Sequence, residues 1–280
     1  MPKVSVIVPC YNMGKYIDET IDSVLKSTFL DYEIVIANDG STDEYTNQLL
    51  ADYKKPNTKV IQSVNLGLPG ARNTATNNSS GKYILPLDAD DKISPGYIAD
   101  AVEYLDTHPN IGIVYCNAEY FGEQTGPYIL PDYSIEEMLK RSLIFCSAFC
   151  RREDYDAIGG WNTKMEYFYE DWDFWLSIIE RGRDVYKIPK THFYYRIRGG
   201  SITRTRDFNE RIKKELRKLY LNHLNLYTQH FQDPLSLWQE RERMKASYEE
   251  QIKWIYNTAD YKLGSNLLTP LRKIKSMFTK

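Results

Sequence analysis

Three carboxylates fall within four residues, Asp88, Asp90 and Asp91, directly after the short apolar run Ile84-Leu85-Pro86-Leu87. Packing offers no reason for that ending, since clustered carboxylates repel one another and are costly to bury unpaired. A divalent cation relieves the repulsion, and hard oxygen ligands suit Mg²⁺ or Mn²⁺. An apolar run of this length reads as a buried strand. In an open α/β sheet ligands bind beyond the carboxyl ends of the strands, where these acids would sit. Alone, a D-x-D triplet is more simply an Asp-rich turn, so the surrounding chain must decide.

The elements that would position the acids are legible in order. Val4–Val8 is a β-branched strand stopped by Pro9, and Tyr16, Ile17, Ile21, Val24 and Leu25 then recur at helical spacing. Tyr32–Ala37 is a second strand, ending in the polar turn Asn38-Asp39-Gly40-Ser41-Thr42-Asp43, which can cap a helix over 44–53. A third strand at Lys59–Ser63 leads into the glycine loop 65–70 and a helix from Ala71 to Asn77. Tyr83–Leu87 is the fourth strand. Alternation at this spacing predicts right-handed βαβ crossovers and a mostly parallel sheet flanked by helices. Beyond it, helices are expected at 98–105 and 166–181. Strands are expected at 112–120, 143–151, 184–189 and 192–198.

Composition excludes several classes. The 280 residues suit one large domain with an appendage, and 42% hydrophobic with 26% charged residues describes a globular chain. A net charge of −2 gives no basic excess for nucleic acid. No signal-peptide region opens the chain, and no run is long enough to span a membrane. Cys10, Cys116, Cys146 and Cys150 lack disulfide or zinc spacing, so a cytoplasmic protein is expected. After Asp207 the texture becomes helical, with Phe208, Ile212, Leu216, Leu219 and Leu226 on one face and a weak heptad through Leu237, Met244 and Ile255. The last 19 residues carry five Lys/Arg and no acid, an amphipathic tail suited to the inner membrane face or to a docking helix that closes the fold or a homodimer.

Six motifs in order carry a resemblance: Val6-Ile7-Val8-Pro9-Cys10-Tyr11-Asn12, Asn38–Asp43, Asn65-Leu66-Gly67 with Gly70-Ala71-Arg72-Asn73, Asp88-Ala89-Asp90-Asp91, Gly159-Gly160-Trp161 and Glu170-Asp171. The series resembles the family 2 glycosyltransferases, inverting nucleotide-sugar enzymes of the GT-A fold, over roughly the first 205 residues. That resemblance implies a catalytic domain over 1–205 and a helical extension over 206–280. It implies that Asp39 pairs with a uracil imide, with Pro9, Tyr11 and Asn12 walling the base. Arg72 would reach base or diphosphate, and Gly67 would shape its loop. Asp88, beside Ala89, would hold ribose or help the metal, and Asp90 would bridge Mn²⁺ or Mg²⁺ to the diphosphate. Asp171 would be the base that deprotonates the acceptor hydroxyl, with Glu170 as its rival. Where the family carries a histidine in an H-x-x-S-x-S/T pattern, this chain has Arg198, which can pair with diphosphate oxygens but cannot ligate a cation.

The expected activity is therefore transfer of a sugar from a nucleoside diphosphate, UDP foremost, to a hydroxyl of a glycan or lipid-linked acceptor in surface-polysaccharide synthesis. The competing reading is a catalytically weak relative serving as a glycan-binding or assembly scaffold. Nucleotidyl transfer and hydride transfer are disfavoured, because no glycine-rich phosphate loop follows the first strand.

Overall fold

A computed structural model of the chain describes residues 1–198, 208–265 and 268. Its first half is parallel: β1 (Val4–Cys10), β2 (Tyr32–Asp39), β3 (Thr58–Ser63) and β4 (Tyr83–Pro86) lie in the order β3-β2-β1-β4. Every residue of β1 and β4 is buried. Strands covered on both faces read as continuous apolar runs, which is why these two do. The crossovers are α1 (Gly14–Leu25), α2 (Glu44–Ala51) and α3 (Gly67–Asn77). Ile17, Ile21 and Val24 of α1 face inward, as their spacing requires. Pro9 does not stop β1: it pairs opposite Ala37, past the last rung that β1 shares with β4 at Ile7 and Pro86. Its missing N–H therefore breaks no ladder between β1 and β4.

The second half is mixed. β8 (Phe149–Arg151) runs antiparallel to β4 and to β6 (Ile111–Gly122), while β9 (Asp184–Ile197) runs parallel to β6. β5 (Lys92–Ile93) closes on β9 and β7 (Gly126–Tyr128) on β6, giving nine strands among the described residues. The strand expected over 143–151 shortens to its last three residues. Leu143, Ile144 and Ala148 are buried, but a turn at Cys146–Ala148 and the bond from Tyr97 Oη to the Ser147 carbonyl satisfy the backbone without a ladder. The two strands expected over 184–189 and 192–198 are one. Between Ile188 and Thr191 the register with β6 slips, and this irregularity accommodates Pro189.

The other helices are α4 (Tyr97–Thr107), α5 (Ile135–Lys140), α6 (Arg152–Ile158), α7 (Glu170–Glu180), α8 (Phe208–Asn222), α9 (Leu224–His230) and α10 (Pro234–Asn257). The chain divides into two compact units, Met1–Tyr227 and Thr228–Lys280. In the second, Asp233 caps α10 by accepting from the N–H groups of Leu235 and Ser236, and α10 buries none of its residues. No helix among the described residues is long and apolar enough to cross a membrane. The basic tail from residue 266 onward, Leu268 apart, lies outside the described residues. All four cysteines are free and buried.

In the first unit α8 turns a more polar face inward than its leucines suggest. Leu219 is buried but Leu216 is exposed, while Glu215 and His223 face the interior. The reason is ionic. His223 Nε2 lies 3.3 Å from Asp173 Oδ1 and its Nδ1 3.1 Å from Glu180 Oε2, so the imidazolium bridges two acids of α7. Asn222 donates to the same Asp173 carboxylate at 2.6 Å. Burial works against the charge on His223, yet the two acids outweigh it and push its pKa up to about 9. A folded-state value above the ordinary histidine value of 6.5 stabilises the protein fully below about pH 6.5, and the gain disappears as pH rises through about 9. His223→Ala should accordingly cost on the order of 3 kcal/mol at pH 6. Urea midpoints of variant and wild type should converge by pH 10, and a pH-independent gap would reject the bridge.

Candidate active site

The carboxyl end of β1 leads to Tyr11, which is exposed, and Asn12, which holds a left-handed φ of 56°. Asn12 Oδ1 accepts from the N–H groups of Thr42 and Asp43, and its Nδ2 donates to Thr42 Oγ1. Asn12 thus stitches the β1 and β2 ends together, with Pro9 buried behind it. Asp43 caps α2, accepting from Thr46 N–H at 2.9 Å, so that duty does not fall on Asp39. Asp39 ends β2 almost fully buried and accepts from Leu66 N–H at 2.7 Å. Burial pushes its carboxyl up, against the N–H groups that pull it down. Gly67 opens α3 at a φ of +74°, so backbone geometry rather than crowding explains the glycine.

Arg72 sits differently from its expected reach toward a ligand. Its side chain is 1% exposed, with Nη2 donating to Asp88 Oδ1 at 3.0 Å and Nη1 to Glu170 Oε1 at 2.8 Å. The guanidinium carbon lies 4.7 Å from the Trp161 ring centroid. Trp161 is held in turn by Asn73, whose amide takes its N–H and gives to its carbonyl, both at 2.8 Å. That contact explains the second glycine of Gly159-Gly160. A Cβ at Gly160 would lie 2.7 Å from Asn73 Oδ1, at a φ of +82° that side chains rarely adopt. Arg72 and Asn73 together clamp the two distant acidic motifs into one site.

Beyond β4 the four-residue acidic loop is held on every side. The Ala89 carbonyl accepts from Thr20 Oγ1 and the Asp90 carbonyl from Arg196 Nε. Asp91, 2% exposed, accepts from Arg196 N–H, so it ties the loop to β9 rather than facing a ligand. Asp90 Oδ2 accepts from Arg198 Nε at 2.6 Å. Burial and the neighbouring Asp88 push the Asp90 carboxyl up while Arg198 draws it down. The stretch 199–203, which completes the Arg198 motif, lies outside the described residues.

The second acidic motif opens α7. Its cap, Tyr169, holds a φ of 66°, a strained setting for an aromatic residue that turns Glu170 and Asp171 toward Asp88. Asp171 Oδ1 accepts from the Trp172 N–H at 2.7 Å. Burial first, then the charge of Glu170, pushes the Asp171 carboxyl well up, Arg72 opposing and Asp88 adding to the rise. Glu170 is spent on Arg72, whereas Asp171 forms no ion pair with a described residue. Of the pair, Asp171 is therefore the carboxylate less committed to a partner.

Residues 5–152 match the family Glycosyl transferase family 2. The chain belongs to that family. It is 29% identical over 221 residues to the UDP-Glc:alpha-D-GlcNAc-diphosphoundecaprenol beta-1,3-glucosyltransferase WfaP of Escherichia coli, covering 76% of this chain and 84% of WfaP. It is 30% identical over 223 residues to the glycosyltransferase GlyA of Streptococcus pneumoniae, and 25% over 290 residues to the chondroitin synthase of Pasteurella multocida. These cover 72% and 98% of this chain, which spans only 32% of GlyA and 28% of the synthase. Among solved structures, S. aureus TarS 1-349 in complex with UDP-GlcNAc superposes with a TM-score of 0.62 at 23% identity, over 92% of this chain and 80% of that one. The fold is thus the glycosyltransferase α/β fold that the motifs imply.

Within this family 2 chain, the described residues hold no group of three or more His, Cys, Asp or Glu placed to cage a metal ion. Asp88 and Asp90 each give one oxygen to an arginine. Mg²⁺ commonly binds through one or two carboxylates plus substrate phosphates, and two acids with an oxygen each to spare fit that mode rather than a preformed cage. Two contributors were invisible in the motifs. Arg196 fixes the acidic loop from β9, and Tyr16 of α1 lies 4.9 Å from the Arg196 and 5.6 Å from the Arg198 guanidinium carbon. Period-two alternation of Arg196 and Arg198 along a strand was the available signal.

Removing Arg72 leaves the largely buried Glu170 and the partly exposed Asp88 without their shared guanidinium. Arg72→Ala should lose about 3–5 kcal/mol of folding stability. Arg72→Lys should recover little of it, because one ammonium cannot span the planar fork between Asp88 and Glu170. Urea unfolding of both variants checks this, and a lysine variant as stable as wild type would refute the bridge.

Proposed function

We propose that this family 2 member is an inverting glycosyltransferase that moves a sugar from a nucleoside diphosphate, UDP foremost, to a hydroxyl of a glycan or lipid-linked acceptor in polysaccharide synthesis. One observation carries the reading: the Asp88–Arg72–Glu170 bridge sets Asp171, a carboxylate pushed toward neutrality, beside the acidic loop at the end of β4. WfaP, whose name states a UDP-Glc donor and a diphosphoundecaprenol acceptor, and TarS, solved with UDP-GlcNAc, support the donor class and the lipid-linked acceptor.

Asp39 and the exposed Tyr11 offer the base a buried acceptor and a ring at the β1 and β2 ends. Asp88 and Asp90 would hold Mn²⁺ or Mg²⁺, which supplies Lewis-acid neutralisation of the leaving diphosphate. Arg198, already on Asp90, can turn to the diphosphate as well, adding charge where the family places a histidine. Asp171 takes the acceptor proton as the hydroxyl attacks the anomeric carbon, and the nucleoside diphosphate leaves from the opposite side. Glu170 holds Arg72 and keeps the base in place.

UDP with Mn²⁺ should raise the melting temperature, since ligand bound only to the folded state stabilises it. Asp171→Asn should keep that shift and lower transfer by roughly 10²–10⁴-fold, measured as UDP release with acceptor present. Undiminished transfer in that variant would remove Asp171 from the mechanism. Burial and Glu170 raise the pKa of Asp171, so the rising limb of kcat/KM against pH should lie above the usual carboxylate range. Glu170→Gln removes the larger of the two charges that raise it and should move that limb to lower pH. A limb that moves upward instead would contradict the assignment.

A further inference from the structure

Three tyrosines on the second half of the sheet cluster on one face, and their hydroxyls bond to none of the described residues. Tyr120 of β6 pairs with Tyr195 of β9, while Tyr128 of β7 and Phe193 of β9 both pair with Ala118. Directly paired residues, and residues two apart, share one face of a sheet. Tyr120, Tyr128 and Tyr195 therefore project together, and the small Ala118 leaves room among them. Their ring centroids lie 4.8 Å apart for Tyr120–Tyr128, 6.1 Å for Tyr120–Tyr195 and 6.0 Å for Tyr128–Tyr195. Phe193 supports Tyr195 from the core side, itself stacked 4.4 Å from Phe145.

The cluster is neither core nor idle surface. Tyr195 is 37% exposed, Tyr120 and Tyr128 are half-buried, and none of the three hydroxyls bonds to a described residue. Tyrosines buried for packing usually find a partner for that hydroxyl. The opposite face is cationic, with Arg196 of β9 and Lys92 of the adjacent β5 over Phe121 at 4.3 and 4.0 Å. The cluster adjoins the acidic loop, since Arg196, next to Tyr195 in β9, donates its N–H to Asp91 at 2.8 Å. Burial raises the Tyr128 hydroxyl to about 12, with Tyr120, Asp171 and Asp91 adding to the rise, and burial first, then Asp91, Asp88 and Asp90, pushes the Tyr195 hydroxyl up.

We propose that Tyr120, Tyr128 and Tyr195 form the platform on which the terminal sugar of the acceptor glycan rests, presenting its hydroxyl to Asp171. This assignment rests on the reading of Asp171 as the base. A pyranose offers an apolar C–H face, which suits a flat ring, and a rim of hydroxyls, which suits phenol oxygens and carboxylates. The nucleotide base is a poor occupant. Asp39 is on β2, four strand spacings from β6, about 19 Å across the sheet at roughly 4.8 Å per strand.

Saturation-transfer NMR on the full chain with UDP present tests the platform, using cellotetraose and chitotetraose as probes. Axial ring protons of the probe's terminal residue should receive saturation from wild type. Tyr120→Ala and Tyr128→Ala should lower it at least fivefold, and Tyr128→Leu, apolar but not flat, should lower it too if the alanine variant fails to melt cooperatively. Tyr186→Ala, at the far end of β9 against Tyr104, should match wild type. Contact with neither glycan, or alanine variants that bind like wild type, would overturn the platform. The UDP-induced melting shift read on the same samples separates the two readings. A normal shift without glycan contact sinks the platform alone, and an absent shift sinks the donor assignment.

Discussion

One buried guanidinium holds this molecule's two chemical motifs together. Arg72 is enclosed by α3, the loop after β4 and the start of α7, and it shares its charge between Asp88 and Glu170 across 16 and 98 residues of sequence. Burying an arginine is expensive, and attraction in a dry interior repays it only when the partners are well placed. The repayment fixes geometry: the β4 loop and the α7 terminus cannot drift apart without leaving a charge stranded. Trp161 covers the guanidinium and Asn73 anchors Trp161, so each of these motifs supports its neighbour.

A consequence is a surplus of negative charge. Asp88, Asp90, Glu170 and Asp171 gather around Arg72 and Arg198, and burial first, with the neighbouring acids adding to it, raises Asp90 and Asp171 above ordinary carboxylates. An enzyme handling a diphosphate beside a proton acceptor benefits from such a field only if an incoming cation or guanidinium offsets it. The chain concentrates its adaptable positive charge at the end of β9, where Arg196 braces the acidic loop through its backbone and Arg198 meets a side chain.

Away from the site, α8 shows the same logic applied to packing. His223 between Asp173 and Glu180 docks α8 on the helix that carries Asp171 two residues before Asp173. Hydrophobic periodicity alone placed Leu216 inward, and it is exposed because the ionic bridge sets the rotation of the helix. Strand prediction failed for a related reason at 143–148, where apolar residues are buried by turns and side-chain hydrogen bonds instead of a ladder.

The sequence by itself determined the parallel βαβ half, the acidic end of the fourth strand and the order of the motifs, because these depend on local periodicity, turn chemistry and short spacing. It also marked the capping role of Asp43 and the backbone role of Gly67. Tertiary structure alone decided that Arg72 joins two carboxylates instead of facing solvent, that Asn12 stitches loops, and that Asp91 anchors β9. It also decided which aromatic residues are core. Those outcomes depend on partners tens of residues away, so they arise only when folding brings the carboxyl ends of β4, β6 and β9 and the start of α7 together.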